Sequence, residues 1–349
     1  MIEVLVVEDS AVVREFLIYL LESDPDLHVV GTAQDGAAAV AAVECMEPQV
    51  ITMDINMPKM DGFEATRRIM ETHPRPIVIV SGSWDTREVA TAFRALEAGA
   101  LAVLPRPVGP GHPDHETTAQ EFVQTVRLMS EVKVVRRWAR VRREEAVPPA
   151  PPTVEIRRTQ EDIRLVAMGA STGGPLVLQT ILSGLPKDFC VPVLIVQHIA
   201  SGFVQGLVEW LTQTSGLPVH VAIHGERLLP GRAYVAPDGL HLGVDGNGGI
   251  ALSTGEPENG PRPAVSHLFR SVSRIYGAQA IGVLLTGMGK DGAEELKKMK
   301  EQGASTIAQD QESSVVHGMP GEAIRLEAAT YVLPPESIGP VLASLVNRR

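Results

Sequence analysis

VLVVED, residues Val4 to Asp9, runs four apolar side chains straight into two carboxylates. A strand with one wet face alternates apolar and polar residues, whereas an unbroken Val/Leu run suits a strand buried on both faces of a parallel sheet with crossover helices. Further runs follow at helical intervals: HVVGTA (28–33), VITMDI (50–55), PIVIVSG (76–82) and ALAVLPRP (100–107). They predict a doubly wound α/β domain over residues 1–116. The pattern returns in RLVAMGAS (164–171), VPVLIVQH (191–198), AIGVLLTG (280–287) and ASTIAQD (304–310), which predicts a second doubly wound α/β domain with a mainly parallel sheet over residues 163–349. Residues 117–162 read as a connector. Phe122, Val126, Met129, Trp138 and Val141 are spaced for one long amphipathic helix from Thr117 to Glu145, and Pro148, Pro149, Pro151 and Pro152 mark an extended, semi-rigid segment. Arg136, Arg137, Arg140, Arg142 and Arg143 make the helix end basic, either as a contact for an acidic partner or, preferably, as a solvated face near a helix C-terminus.

The 349 residues are enough for two domains, each with its own core. Apolar residues at 44% and charged residues at 21% are near the globular average. A net charge of -11 argues against a protein whose main task is coating nucleic acid, because phosphate neutralisation needs clustered Lys and Arg. No apolar run reaches the roughly 18 residues of a membrane span, and the start of the chain lacks a charged leader, so a cytoplasmic protein without membrane insertion is expected; the expected state is a monomer. Cys45 and Cys190 sit among apolar neighbours without CxxC spacing and are expected to be buried thiols of a reducing compartment.

Glu8 and Asp9 end the first strand-like run and Asp54 the third, and in a doubly wound sheet these ends converge on one edge. Packed carboxylates repel and raise one another's pKa, so the cluster is best explained by a divalent cation, and oxygen-only ligands suit Mg²⁺. A carboxylate beside such a cation can attack a phosphoryl group, and Asp54 is the central candidate. Ser81, closing the fourth run, is placed to hydrogen-bond a phosphoryl oxygen, and Arg106, near the fifth, to pair with the charge. Alone, each of these residues reads equally as a strand-end cap or surface charge. Through VVEDS, MDINMPKMDG and IVSGS, residues 1 to 107 resemble the response-regulator receiver family. The resemblance implies a flavodoxin-like fold, Asp54 as phospho-acceptor, Mg²⁺ held by Glu8, Asp9, Asp54 and the Asn56 carbonyl, and a histidine kinase as phosphodonor. In LPRP, Arg106 stands where receivers have Lys; it keeps the charge but differs in shape, hydration and reach.

GASTGGP (169–175) follows a strand and precedes a helical segment, which puts Ser171 at a helix N-terminus in a nucleophile-elbow pattern, Gly169-x-Ser171-x-Gly173. On its own the match also fits a helix-capping Ser in a glycine turn. A hydroxyl needs a base, and the base an orienting carboxylate. His198 stands at the end of VPVLIVQH, and Asp291 follows AIGVLLTGMGK, so both reach the edge that carries Ser171. Backbone N–H groups around Met288 are candidates for the oxyanion. A dinucleotide-binding reading of the glycine turn fits poorly, because Ser171 occupies the second Gly position and Gln197-His198 the place of the ribose-binding acid.

Together GASTGGP, VQHIASGF, YVAPDG, LLTGMGKDGA and AQDQESSVVHGMP make residues 163 to 346 resemble the catalytic domain of chemotaxis-type protein-glutamate methylesterases. The resemblance implies a Rossmann-like hydrolase with no cofactor of its own, acting on γ-glutamyl methyl esters, and often on glutamines, of chemoreceptor cytoplasmic helices. Ser171, His198 and Asp291 take the triad positions, with Thr172 and Met288 shaping the site. His317 stands where the family has an aromatic residue and Gly321 where it has Lys or Arg. His267 reads as structural or substrate-lining. The tandem order leads to the expectation that the receiver covers the active-site edge until Asp54 is phosphorylated. The alternative from another class is a receptor-binding module without catalysis, which the intact Ser171, His198 and Asp291 disfavour.

Overall fold

The computed structural model describes residues 1–82, 93–132, 134, 162–258 and 260–346, and the chain divides into two compact units, Met1–Val147 and Pro148–Arg349. In the first, β1 (Ile2–Val7), β2 (Leu27–Ala33), β3 (Val50–Met53), β4 (Ile77–Ser81) and β5 (Ala102–Pro105) form a parallel sheet in the order β2-β1-β3-β4-β5. Parallel neighbours require crossovers, which α1 (Ala11–Glu22), α2 (Gly36–Met46) and α3 (Gly62–Thr72) supply. Asp35 and Asp61 start α2 and α3 by accepting hydrogen bonds from the N–H groups of Ala38 and Glu64, both at 2.8 Å. The ladder register sets the functional edge: Val7 pairs with Met53 and Ser81 with Pro105, so Glu8, Asp54 and Arg106 each emerge one residue past a final rung.

The long connecting helix expected from Thr117 to Glu145 is shorter and begins earlier. Helix α4 spans His115–Ser130 and packs on α1, β3, β4 and β5 with Phe122, Val126 and Met129 buried. It ends because the Glu131 N–H turns to the carbonyls of Leu128 and Met129 rather than to the residue four back, tightening the last turn. Trp138, Val141, the arginines of 136–143 and the prolines of 148–152 lie outside the described residues. Cys45 and Cys190 are both exposed, not buried as their apolar neighbours suggested. Cys45 falls on the outer side of α2, whose inner side carries Ala39 and Val43.

In the second unit β6 (Leu165–Ala170), β7 (Val193–Gln197), β8 (Val219–Val221), β9 (Ala233–Val235), β12 (Ala280–Leu284), β13 (Ser305–Gln309) and β14 (Tyr331–Leu333) form a parallel sheet in the order β14-β13-β12-β6-β7-β9-β8. The remaining strands, β10 (His241–Val244) and β11 (Ile250–Ser253), make an antiparallel hairpin. Helix α5 (Gly174–Ser183) packs with α6 (Val204–Ser215) and α10 (Pro335–Val346), whereas α7 (Val265–Tyr276) packs with α8 (Ala293–Glu301), which also meets α9 (Met319–Arg325). Leu165, Ala167, Leu194 and Val196 join Leu268, Phe269 and Leu296 in one fully buried core. The chain starts at β6, builds out one side of the sheet, then returns to β12 on the other. The switch point between β6 and β12 is where an open α/β sheet leaves a crevice at its carboxyl edge.

Replacing Phe122 by Ala should cost about 3–5 kcal/mol in the unfolding transition of the first unit, because α4 belongs to its core. A urea melt showing a loss below about 1 kcal/mol would place the helix outside that core.

Candidate active site

On the edge of the first sheet, the carboxylate oxygens of Glu8, Asp9 and Asp54 lie within 4.8 Å of one another. Glu8 and Asp54 are buried and Asp9 is exposed. Burial, reinforced by the Asp54 charge, pushes the Glu8 carboxyl up to about 7 although Arg106 opposes the rise. Burial likewise raises Asp54 against the pull of Arg106 and of the Ile55 and Asn56 N–H groups. An oxygen-only set in which Glu8 and Asp54 are held towards protonation fits a hard divalent cation, which would remove the conflict. Arg106 reaches the same spot: its Nη2 donates to Glu8 Oε2 at 2.9 Å and lies 3.8 Å from Asp54 Oδ2. The Arg106 N–H is fixed on the carbonyl of buried Ser81 at 2.8 Å. Gly82 makes room for the guanidinium, since a Cβ there would meet Arg106 Cζ at 2.7 Å.

At the switch point of the second sheet, the Ser171 N–H donates to the Thr286 carbonyl at 3.0 Å, and the Gly174 N–H closes a turn on the Ser171 carbonyl at 2.8 Å. The turn needs its glycines. Gly173 has φ +79° and caps α5, and a Cβ there would meet Val315 at 2.6 Å. His198 leaves β7 with its N–H on the Ala170 carbonyl at 2.9 Å. Its Nε2 lies 3.0 Å from Asp291 Oδ2.

Asp291 is buried and tightly held. Its Oδ2 accepts from the Val265 N–H at 2.6 Å and its Oδ1 from the Ser266 N–H at 3.0 Å, which seats the carboxylate at the N-terminus of α7. Burial pushes its pKa up, but hydrogen bonds from His198 and Ser266 outweigh this and hold it below the ordinary value. An ionised acceptor on Nε2 fixes the hydrogen there and leaves Nδ1 as the basic nitrogen. Among the described residues the Ser171 hydroxyl makes no hydrogen bond; nucleophile and base contacts often tighten only once substrate binds.

Thr172 and Met288 rim the same edge. The Thr286 hydroxyl donates to the Thr172 carbonyl at 2.9 Å. Met288 is 46% exposed, and among the described residues its N–H meets no protein acceptor, whereas the neighbouring Gly287 N–H is spent on the Val316 carbonyl at 2.9 Å. His317 is joined by no hydrogen bond to Ser171 or Asp291 among the described residues; its Nδ1 faces the Ser314 hydroxyl at 3.3 Å, and burial lowers its pKa. Its ring lies over Gly321, where a Cβ would meet it at 2.9 Å. His267 pairs with Glu258 at 3.0 Å and stacks on His241 at 4.6 Å between ring centroids. His241, Glu258 and His267 are spaced like metal ligands, but His241 accepts the Ala264 N–H on Nδ1 and donates from Nε2 to the Glu256 carbonyl, so neither nitrogen is open.

Reading strand ends missed Gln197, Ser266, Thr286 and Gln309. Thr286 ties the glycine turn at Ser171 to the 313–318 loop by accepting the Val316 N–H at 3.0 Å, and Gln309 Oε1 accepts the Thr286 N–H at 2.8 Å. Three of them, Gln197, Thr286 and Gln309, are polar residues at the ends of apolar runs, which is the one signal available; Ser266 gives none.

Residues 166–342 match the family model described as CheB methylesterase, and residues 4–113 match that of the response regulator receiver domain. The chain belongs to the CheB methylesterase family. Protein-glutamate methylesterase/protein-glutamine glutaminase 4 of Geobacter metallireducens is 59% identical over 350 residues, covering 100% of both chains. The protein-glutamate methylesterase/protein-glutamine glutaminase of Nitrosospira multiformis is also 59% identical, over 100% of this chain and 98% of its own. The crystal structure of the Thermotoga maritima CheB methylesterase catalytic domain aligns over 53% of this chain and all of its own with 41% identity and a TM-score of 0.52.

Because Asp291 has a lowered pKa in the folded methylesterase domain, it stabilises that domain fully above its unfolded value of about 3.9, and the contribution is lost as pH falls through the folded value. Asp291→Asn should therefore be less stable than the parent at pH 6, with the gap narrowing at pH 3 in urea melts. A gap independent of pH would contradict the assignment.

Proposed function

We propose that Ser171 is the nucleophile, His198 the general base and Asp291 the orienting carboxylate of this receiver-regulated protein-glutamate methylesterase and protein-glutamine glutaminase of chemotaxis adaptation. The observation that carries the reading is the 3.0 Å contact between His198 Nε2 and a carboxylate that its hydrogen bonds at the start of α7 keep ionised against burial, on the edge where β6 delivers Ser171.

His198 Nδ1 takes the Ser171 proton as Oγ adds to the γ-carbonyl of a receptor glutamyl methyl ester. The Met288 N–H, with Thr172 shaping the site on the same edge, receives the charge that develops on the carbonyl oxygen. The imidazolium returns the proton to the leaving oxygen, releasing methanol, or to the leaving nitrogen of a glutamine, releasing ammonia. A water deprotonated by Nδ1 then hydrolyses the glutamyl–Ser171 ester and restores the hydroxyl.

In the receiver, Asp54 accepts a phosphoryl group from a chemotaxis histidine kinase. Glu8, Asp9, Asp54 and the Asn56 carbonyl would hold Mg²⁺, which when bound offsets the charge on the incoming oxygens. Ser81 bonds one phosphoryl oxygen and Arg106 pairs with the new charge, leaving its contact with Glu8. The substrates are cytoplasmic helices of methyl-accepting chemoreceptors, and the enzyme works as a cytoplasmic monomer without nucleic acid or membrane insertion. No helix among the described residues is long and apolar enough to cross a membrane.

Ser171→Ala and His198→Ala should lower kcat for methanol release from methylated receptor by about 10⁴- to 10⁶-fold, and Asp291→Ala by less. Near-normal release by Ser171→Ala would end the assignment. A phosphodonor should raise release by the full chain but not by Asp54→Asn; an equal response in both would remove Asp54 from the control step.

A further inference from the structure

We infer that Gln197 is a positioning residue that sets the distance between the nucleophile and its base. The ladder between β6 and β7 ends with Ala170 opposite Gln197, and its last rung is the His198 N–H on the Ala170 carbonyl at 2.9 Å. Beyond it the two chains part, one entering the turn before α5 and the other the loop that carries the imidazole. The Gln197 side chain spans that gap. Its Nε2 donates to the Ser171 carbonyl at 2.8 Å and to the His198 carbonyl at 2.8 Å, so one planar amide holds the backbones of nucleophile and base together.

Burial argues that the amide is there for those two bonds. Gln197 is 3% exposed, and its Oε1 is buried without a hydrogen-bond partner among the described residues. An apolar side chain would avoid the cost of that unpaired oxygen, so the two N–H donors are what the position uses. The neighbouring sequence makes room for it: a Cβ on Gly174 would come within 2.1 Å of Oε1. Gly174 and Gln197 are therefore one device, with the glycine leaving space for the bridging amide. Asp291 orients the ring of His198; Gln197 acts on the other coordinate, the spacing of the main chains.

The inference rests on Ser171 being the nucleophile, and its test is built to separate the two ideas. Full-length Gln197→Leu keeps bulk but loses both donors. A fluorophosphonate probe reads the reactivity of Ser171 without reference to the natural substrate, and methanol release from methylated receptor supplies kcat and KM. Expected is a fall of about 10²-fold in labelling rate and kcat, the size attached to a shift of about 1 Å in a reacting group. KM should stay within about threefold and the acid limb of the pH profile should not move, since the ring and its bond to Asp291 are untouched. A residue serving stability alone would lower the melting temperature and leave kcat per folded molecule unchanged. Folded Gln197→Leu that labels within about threefold of the parent overturns the inference. If Gln197→Leu does not fold, Gly174→Ala, which pushes the amide aside while keeping it, should show the same loss, and normal labelling there also overturns it. Parent protein that labels at Ser171 but releases no methanol would refute the substrate and leave Gln197 to be judged on labelling. Parent that does not label at Ser171 would refute both.

Discussion

Both sites hang on the last rungs of a parallel ladder. In the receiver the Asp54 N–H closes on the Val7 carbonyl at 2.9 Å, and in the hydrolase the Ser171 N–H closes on the Thr286 carbonyl at 3.0 Å. A parallel sheet ends its strands on one edge with their carboxyl ends side by side, so residues tens or hundreds of positions apart leave the ladder as neighbours. The same construction yields opposite electrostatics. The receiver edge gathers carboxylates that resist ionisation, whereas the hydrolase edge holds one carboxylate whose ionisation is favoured.

That difference follows from what surrounds each acid. Glu8 is buried beside Asp54 with Arg106 as its compensating cation. Asp291 is also buried, but it faces two main-chain N–H groups at the start of a twelve-residue helix and an imidazole. Fixed dipoles need no counter-ion and do not reorganise, which suits the orienting role proposed for Asp291. The receiver acids, which burial holds towards protonation, suit the reverse task proposed for them, that of binding a group that arrives and leaves.

The alternation of apolar runs and helical stretches made the first sheet and the four central strands β13, β12, β6 and β7 of the second legible in the sequence, because a strand buried on two faces has few polar positions to interrupt it, whereas the three-residue β8, β9 and β14 are too short to stand out. Glu8, Asp54, Ser171 and His198 could be located because each stands at or just beyond the end of such a run. The end of α4 could not, since the apolar spacing runs on through Val141 and nothing in it records the tightened turn at Glu131. Cys45 went wrong for a related reason: apolar neighbours in sequence do not tell which side of a helix a residue occupies. Ser266 and Gln197 depend on partners from other segments, and a hydrogen bond to a backbone leaves no mark on the residue type that receives it. Gly174 was read as part of a sharp turn, while the amide that its missing Cβ admits could be seen only in three dimensions.

The packing of His317 over Gly321 ties these two positions together. A Cβ at 321 would enter the space of the ring, and the ring would have to give up its place beside Ser314 to let it in. A larger side chain at 321 is therefore accommodated only once the imidazole has been replaced or turned outward, so the two positions can be varied only as a pair.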